Sequence, residues 1–169
     1  MKILISYLLL ALLITSLTLH AQVGWKKQTS GTTNNLYSMT FSDAVFSAGF
    51  AMGENGTILT TLDQGVFWQP MNSNTTASIF AMTFPYPDTG FAIGSENSFL
   101  KTTDQGLNWF SFTTLTTPQP RDIFLPQSSR AGYIVGDSGL IVRTTTGGAT
   151  WGAPINIGSS RNLHAMAFL

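Results

Sequence analysis

After its first 21 residues the chain alternates short apolar or Thr-rich runs with clusters of Gly, Asn, Asp and Ser, and no stretch carries the 3.6-residue spacing of a helix. Between positions 79 and 114 the runs are IFAMTF, GFAIG, SFLKTT and WFSFTT, which predict four short strands. ENG, SEN and DSG stand between the second and third runs of successive units, where Gly and Asn can take positive φ in a tight hairpin. The whole pattern repeats. Trp occurs at 25, 68, 109 and 151, LYSMTF at 36–41 aligns with IFAMTF at 79–84, PRDIFL at 120–125 and LHAMAF at 163–168, and GFAMG, GFAIG and GYIVG follow in step. A four-strand unit of about 42 residues has the size of one β-propeller blade. The expectation is an all-β propeller segment of about three and a half four-stranded blades. These would fill 22–169, with repeats ending near Trp68, Trp109 and Trp151 and an incomplete blade at 152–169.

The ends extend this reading. GWKKQTS at 24–30 aligns with a fourth strand and LHAMAFL at 163–169 with a first strand, so the chain is expected to be the N-terminal part of a larger ring. Unpaired blade flanks would invite self-association.

Where the third run meets the fourth, the chain reads TLDQGVFW at 61–68, TTDQGLNW at 102–109 and TTTGGATW at 144–151. These are turn residues: an Asp can accept hydrogen bonds from backbone N–H groups two residues on, a Gly supplies a conformation that a Cβ penalises, and a Trp can cover the turn or the next blade. The segments resemble the Asp-box family, the bacterial neuraminidase repeat, of form Ser/Thr-x-Asp-x-Gly-x-x-Trp. Thr61, Asp63, Gly65 and Trp68 match fully, as do Thr102, Asp104, Gly106 and Trp109. The third box keeps Thr144, Gly148 and Trp151 but has Thr146 for the Asp, and its loop is expected to be held less firmly. Across 25–169 the chain is most similar to the photosystem II assembly/stability factor-like propellers, a family also found among secreted bacterial proteins. That resemblance implies a scaffold that binds another protein.

Composition sharpens the picture. Only 9% of residues are charged and none is Cys, against roughly 25% charged in an ordinary domain. Thr, Ser, Asn and Gln therefore supply much of the polar surface. Lys2, the apolar ILISYLLLALLI and the closing Leu19-His20-Ala21 form a secretory leader expected to be cut after Ala21. That places the protein outside the cytoplasm, in the periplasm, at the cell surface or secreted, with no stable membrane span. Without the leader, 7 basic residues face 8 acidic ones, and this balance excludes a nucleic-acid partner, which needs a basic face.

Candidate chemistry is sparse. Asp-box propellers include sialidases and endoglucanases, so the alternative reading is part of a secreted glycoside hydrolase with its catalytic residues in further blades. Here the four Arg at 121, 130, 143 and 161 form no cluster in the sequence, and no pair of acids is suggested by spacing. Asp63 and Asp104 belong to turns, Glu54, Glu96 and Asp137 to hairpin connections, and Asp43, Asp88 and Asp122 to the neighbourhood of first strands. After the leader there is one His, His164, in the register of Tyr37 and Phe80, where it reads as a packed strand residue. One His and no Cys supply no ordinary metal site, and no cofactor is expected. Thr60, Lys101 and Arg143 each follow the Gly closing a second strand by seven residues, so Lys101 and Arg143 form a repeated cationic position for an acidic partner. The reading is an exported, non-catalytic scaffold or binding module for a protein or surface glycan. Intact mass of the exported product is expected to start at Gln22; retention of the leader would refute the cleavage site.

Overall fold

The computed structural model describes residues 26–42, 48–112, 118–127 and 129–168. The leader, Trp25 and Asp43 lie outside them. Among the described residues eleven strands form three antiparallel sheets. Blade 1 comprises β1 (Leu36–Phe41), β2 (Gly49–Gly53), β3 (Ile58–Thr61) and β4 (Gln69–Met71). Blade 2 comprises β5 (Ile79–Thr83), β6 (Gly90–Gly94), β7 (Phe99–Thr102) and β8 (Phe110–Ser111). Blade 3 comprises β9 (Pro120–Phe124), β10 (Gly132–Gly136) and β11 (Ile141–Thr144). Each strand pairs with its sequence neighbour, and the first strands stand side by side, β1 against β5 and β5 against β9. The β2–β3 and β10–β11 connections place Asn55, Gly56, Ser138 and Gly139 at positive φ, and Glu96 and Asn97 do the same between β6 and β7. Among the described residues no helix is long and apolar enough to cross a membrane.

Among the described residues two runs read as strands form none, and blade 3 has three strands where four were expected. Residues 152–157 make no fourth strand of blade 3: Gly152 and Ile155 donate to the Arg143 and Ile141 carbonyls, but Pro154 between them has no N–H to extend a ladder. Residues 26–30 form no strand, and neither do 163–168, which have no ladder partner among the described residues. The latter instead lie along blade 3, where Leu163 N–H donates to the Gly136 carbonyl, Met166 N–H donates to Asp122 Oδ2 at 2.8 Å, and Phe168 stacks on Phe124 and Tyr133. His164 is exposed there, not packed within a strand.

Alternation along each strand gives every blade two apolar faces. The back of blade 1 (Phe50, Met52, Ile58) meets the front of blade 2 (Met82, Phe84, Leu100, Trp109) in one core. The back of blade 2 (Phe91, Ile93, Phe99) meets the front of blade 3 (Ile123, Leu125, Ile134, Val142) in a second, with Phe112 and Trp151 packed on it. The box Trp therefore covers the preceding blade. Trp109 is fully buried with its ring edge-on to Phe84 at 6.1 Å, and Trp151 lies edge-on to Phe91 and Phe99. The burial has a cost, because the indole N–H groups of Trp109 and Trp151 have no partner, whereas that of Trp68 donates to the Gly65 carbonyl.

The box itself is organised differently from the expected Asp turn. The buried Thr hydroxyl is its centre: Thr102 Oγ1 donates to Asp104 Oδ1 at 2.8 Å and accepts from the N–H of Gly106 at 3.0 Å and of Asp104 at 3.3 Å. Asp104 reaches four residues on rather than two, accepting from Asn108 N–H at 2.9 Å and from its side-chain amide at 2.7 Å. Thr61, Asp63, Gly65 and Phe67 repeat the arrangement. The reason is chemical: a hydroxyl has one proton and two lone pairs, so it can serve the carboxylate and two N–H groups together, while a carboxylate only accepts. The third box is not looser in its hydrogen bonding. Thr146 Oγ1 accepts from Thr150 N–H at 2.9 Å and lies 3.2 Å from Thr144 Oγ1, and Gly148 N–H donates to Thr144 Oγ1 at 3.1 Å.

Two outcomes follow from this packing. A Cβ on Gly106 would stand 2.7 Å from Phe50, whereas at Gly65 it would meet only Trp68 at 3.6 Å, and both glycines have positive φ. Gly106→Ala should thus destabilise by about 1–3 kcal/mol more than Gly65→Ala in urea titrations. The second outcome concerns acid. The Phe67 N–H and Thr61 hydroxyl hold Asp63 below the usual carboxylate range, and the side chain and N–H of Asn108 do so for Asp104. Depressed folded values stabilise above the unfolded value of about 3.9 and lose that contribution as pH falls through the folded one. The melting temperature should fall less steeply below about pH 4 in Asp63→Asn/Asp104→Asn than in the parent; equal slopes would refute the role.

Candidate binding surface

The box residues Thr61, Asp63, Gly65, Trp68, Thr102, Asp104, Gly106, Trp109, Thr144, Gly148 and Trp151 form structural braces, with the Thr and Asp side chains and the Gly N–H groups bonded within their own loops and the Trp109 and Trp151 rings packed on the preceding blade. Lys101 and Arg143 lie on β7 and β11, directly across from Phe91 and Tyr133. The Lys101 ammonium stands 5.3 Å from the Phe112 ring and 5.6 Å from Phe91, and the Arg143 guanidinium 6.0 Å from Tyr133. Their register position is thus the rim of a blade's back. Burial at that position runs from Thr60, 5% exposed beneath blade 2, through the half-buried Lys101, to the exposed Arg143.

A second repeated position was not singled out by the sequence reading. The ladder slips by one residue between Leu36 and Ser38 in β1, between Ile79 and Ala81 in β5, and between Gly136 and Val135 opposite β9. Tyr37, Phe80 and Arg121 are the extra residues at these slips. A bulge leaves its residue outside the ladder and re-aims the side chain. Because first strands of successive blades are adjacent, the three meet in a row: the Tyr37 and Phe80 rings are 5.8 Å apart, and the Arg121 guanidinium lies 5.4 Å from the Phe80 ring. The alignment of Tyr37, Phe80 and His164 was the available signal, but only ladder register shows that these positions are bulges.

The row is fixed at both ends. Tyr37 donates its hydroxyl to Glu54 Oε1 at 3.1 Å, and Asn35 donates to the same carboxylate through its side chain at 2.8 Å and its N–H at 3.2 Å. These bonds, those of Asn35 first, hold Glu54 below the usual carboxylate range. At the other end Arg121 donates through Nε and Nη2 to the two oxygens of Asp137, at 2.9 and 2.8 Å. The pair lowers Asp137 and raises Arg121. Arg121 keeps Nη1 free of this fork, since guanidinium has five N–H donors. The surface is therefore a half-exposed aromatic and guanidinium shelf with pinned side chains, suited to stacking and hydrogen bonding.

Among the described residues Glu54 is held by Asn35 and Tyr37, Asp63 and Asp104 are bound within their own boxes and Asp137 is paired with Arg121, so these four carboxylates form no acid pair of the glycosidic kind. Asp122 on β9 is raised by burial even though it accepts from the Met166 and Ile123 N–H groups. Among the described residues no cluster of His, Asp or Glu could hold a metal ion.

Comparison with known proteins agrees with the fold. No curated protein matches the sequence. A solved structure of YCF48 bound to D1 peptide superposes with a TM-score of 0.66 at 25% identity, covering 76% of this chain and 42% of that one. YCF48 from Cyanidioschyzon merolae superposes with a TM-score of 0.68 at 25% identity, over 78% and 43%. An ancestral GH74 enzyme shares the fold, with a TM-score of 0.60 at 15% identity over 77% of this chain and 20% of that one. The chain thus spans less than half the length of the YCF48 structures it matches. The family model described as photosynthesis system II assembly factor YCF48 matches residues 62–161, from the first box through the third, and the chain belongs to that family.

Proposed function

We propose that this chain is an exported, non-catalytic propeller scaffold whose partner is a protein, held as an extended peptide across the Tyr37–Phe80–Arg121 row. The observation that carries the reading is the row itself: three bulges, one per blade, bring a stack of side chains to one line. Aromatic faces and a fixed guanidinium are the residue types that dominate binding energy at protein interfaces. An apolar side chain of the peptide would lie on Phe80, and a carbonyl or carboxylate would meet Nη1 of Arg121. Family membership and the D1 peptide bound to one YCF48 support a peptide as ligand. The leader at 1–21 supports export. Lys101 and Arg143, at the rims of two blade backs, would add a long-range, salt-sensitive attraction for an acidic partner.

Fluorescence anisotropy with a labelled D1 peptide tests the reading. Phe80→Ala and Arg121→Gln should each weaken binding by about tenfold or more, the scale of an interface hot spot. Lys101→Gln/Arg143→Gln should weaken it only at low salt, because exposed charges are screened over about 10 Å at 0.1 M. Equal affinity for the parent chain and both row variants would refute the site.

A further inference from the structure

The row of Tyr37, Phe80 and Arg121 has a fourth register position, and His164 occupies it. Each is the second residue of its run, in LYSMTF, IFAMTF, PRDIFL and LHAMAF. The chain before His164 is tied to both sides of Asp137: Ser138 N–H donates to Asn162 Oδ1 at 3.1 Å, and Leu163 N–H donates to the Gly136 carbonyl at 2.9 Å. The next residue, His164, therefore comes beside Asp137. Electrostatics agree with this placement. Asp137 is held below the usual carboxylate range first by the hydrogen bonds from Arg121 and then, against the opposing effect of burial, by the charges of Arg121 and His164. His164 is exposed, and its register position stays accessible on a strand with neighbours on both sides, since Phe80 on β5, between β1 and β9, is only half-buried.

Charge decides what this corner can take. Arg121 and Asp137, with side chains 35% and 23% exposed, neutralise each other through their paired bonds at 2.8 and 2.9 Å. A ligand carboxylate brought to Nη1 of Arg121 meets one cation and one anion. A protonated imidazole beside Asp137 changes this to two cations and one anion, and the incoming carboxylate completes the balance. Histidine is the side chain that makes such a change between about pH 5 and 8.

We propose that His164 is a specificity-determining residue of the row, which in its cationic form selects a ligand carboxylate at the Arg121 end. The proposal rests on the row being the peptide site. The charged and titratable groups around His164 are Asp137 of the β10–β11 connection, Arg121 and Asp122 of β9, Tyr133 of β10 and Arg161 on its own segment. Asp122 and Tyr133 anchor that segment, the first through Met166 N–H and the second through the Phe168 ring. Asp137 is the one acid tied to Arg121, so it is the charge that His164 offsets. The carboxylate can belong to a peptide C-terminus or to an Asp or Glu side chain, since both present the same two oxygens to the guanidinium.

Fluorescence anisotropy of the full chain with labelled D1 peptide, at low salt and at about pH 5.5 and about pH 8, tests this. The parent should bind about two- to fivefold more tightly at the lower pH, the scale of one exposed ion pair. His164→Gln should bind at both pH values with the affinity that the parent has at the higher one. His164→Lys should keep the tighter binding at both. Amidating the C-terminus of the peptide, or replacing its acidic side chains by amides, should remove the parent's pH response in whichever form lacks the recognised carboxylate, which identifies its source. A parent affinity that does not change with pH would overturn the proposal and leave the row standing as a peptide site. So would a response that persists undiminished in His164→Gln, where Asp122 and Asp137 remain, or one that survives removal of both kinds of carboxylate. The row is judged separately by Phe80→Ala and Arg121→Gln at the higher pH, and parent-like binding by both variants would overturn the two readings together.

Discussion

The structure depends on one hydroxyl per repeat. Thr61, Thr102 and Thr144 are each about 1% exposed or less, and each accepts an N–H from the box glycine four residues on. That bond holds the glycine in a left-handed turn, and in blades 2 and 3 it sets the following Trp against the preceding blade. Without a fixed turn the glycine could not be aligned with the incoming ring, because a close approach of 2.5–2.7 Å to a virtual Cβ tolerates no side chain. The carboxylate of Asp63 or Asp104 completes the brace by accepting the hydrogen bond that the hydroxyl donates. Thr146 performs the same task with a second hydroxyl, which explains how the third repeat keeps its shape without the acid.

A stack of blades built on such constant contacts leaves other positions free to vary. The bulge residue of each first strand is outside both apolar faces, so Tyr37, Phe80 and Arg121 can differ in kind while the sheets around them stay alike. The fold brings these residues together even though they are about one repeat apart in the chain. Function on such a scaffold resides in the side chains that the repeat exposes rather than in the repeat itself. Lys101 and Arg143 illustrate the opposite case, since their register is the rim of a packing face, and exposure there depends on whether another blade lies over it.

Several features were open to sequence reading because they are local. Apolar runs, hairpin residues and the three boxes recur at a constant step, and period-2 alternation announces strands with two distinct faces. Other features were misjudged for reasons that are physical. In sequence the Asp reads as the centre of its turn because carboxylates commonly accept from nearby N–H groups, yet the buried Thr is better equipped to satisfy three partners. A complete third blade needs a fourth strand after Trp151, but Pro154 limits 152–157 to isolated bonds beside β11. LHAMAF aligns with a first strand, but a strand is defined by its neighbour, and the segment uses Asp122, Gly136 and the Tyr133 ring instead.

By itself the sequence determined the blade, its approximate length and the residues of its corner turns, since these follow from patterns confined to one repeat. Tertiary structure decided which faces are covered, which aromatic enters which glycine seat, and that Tyr37, Phe80 and Arg121 form one row. The physical reason is the range of the interactions. Turn hydrogen bonds join residues two to four apart, whereas ladder slips and ring stacking join residues from different strands and blades, whose register no single segment contains.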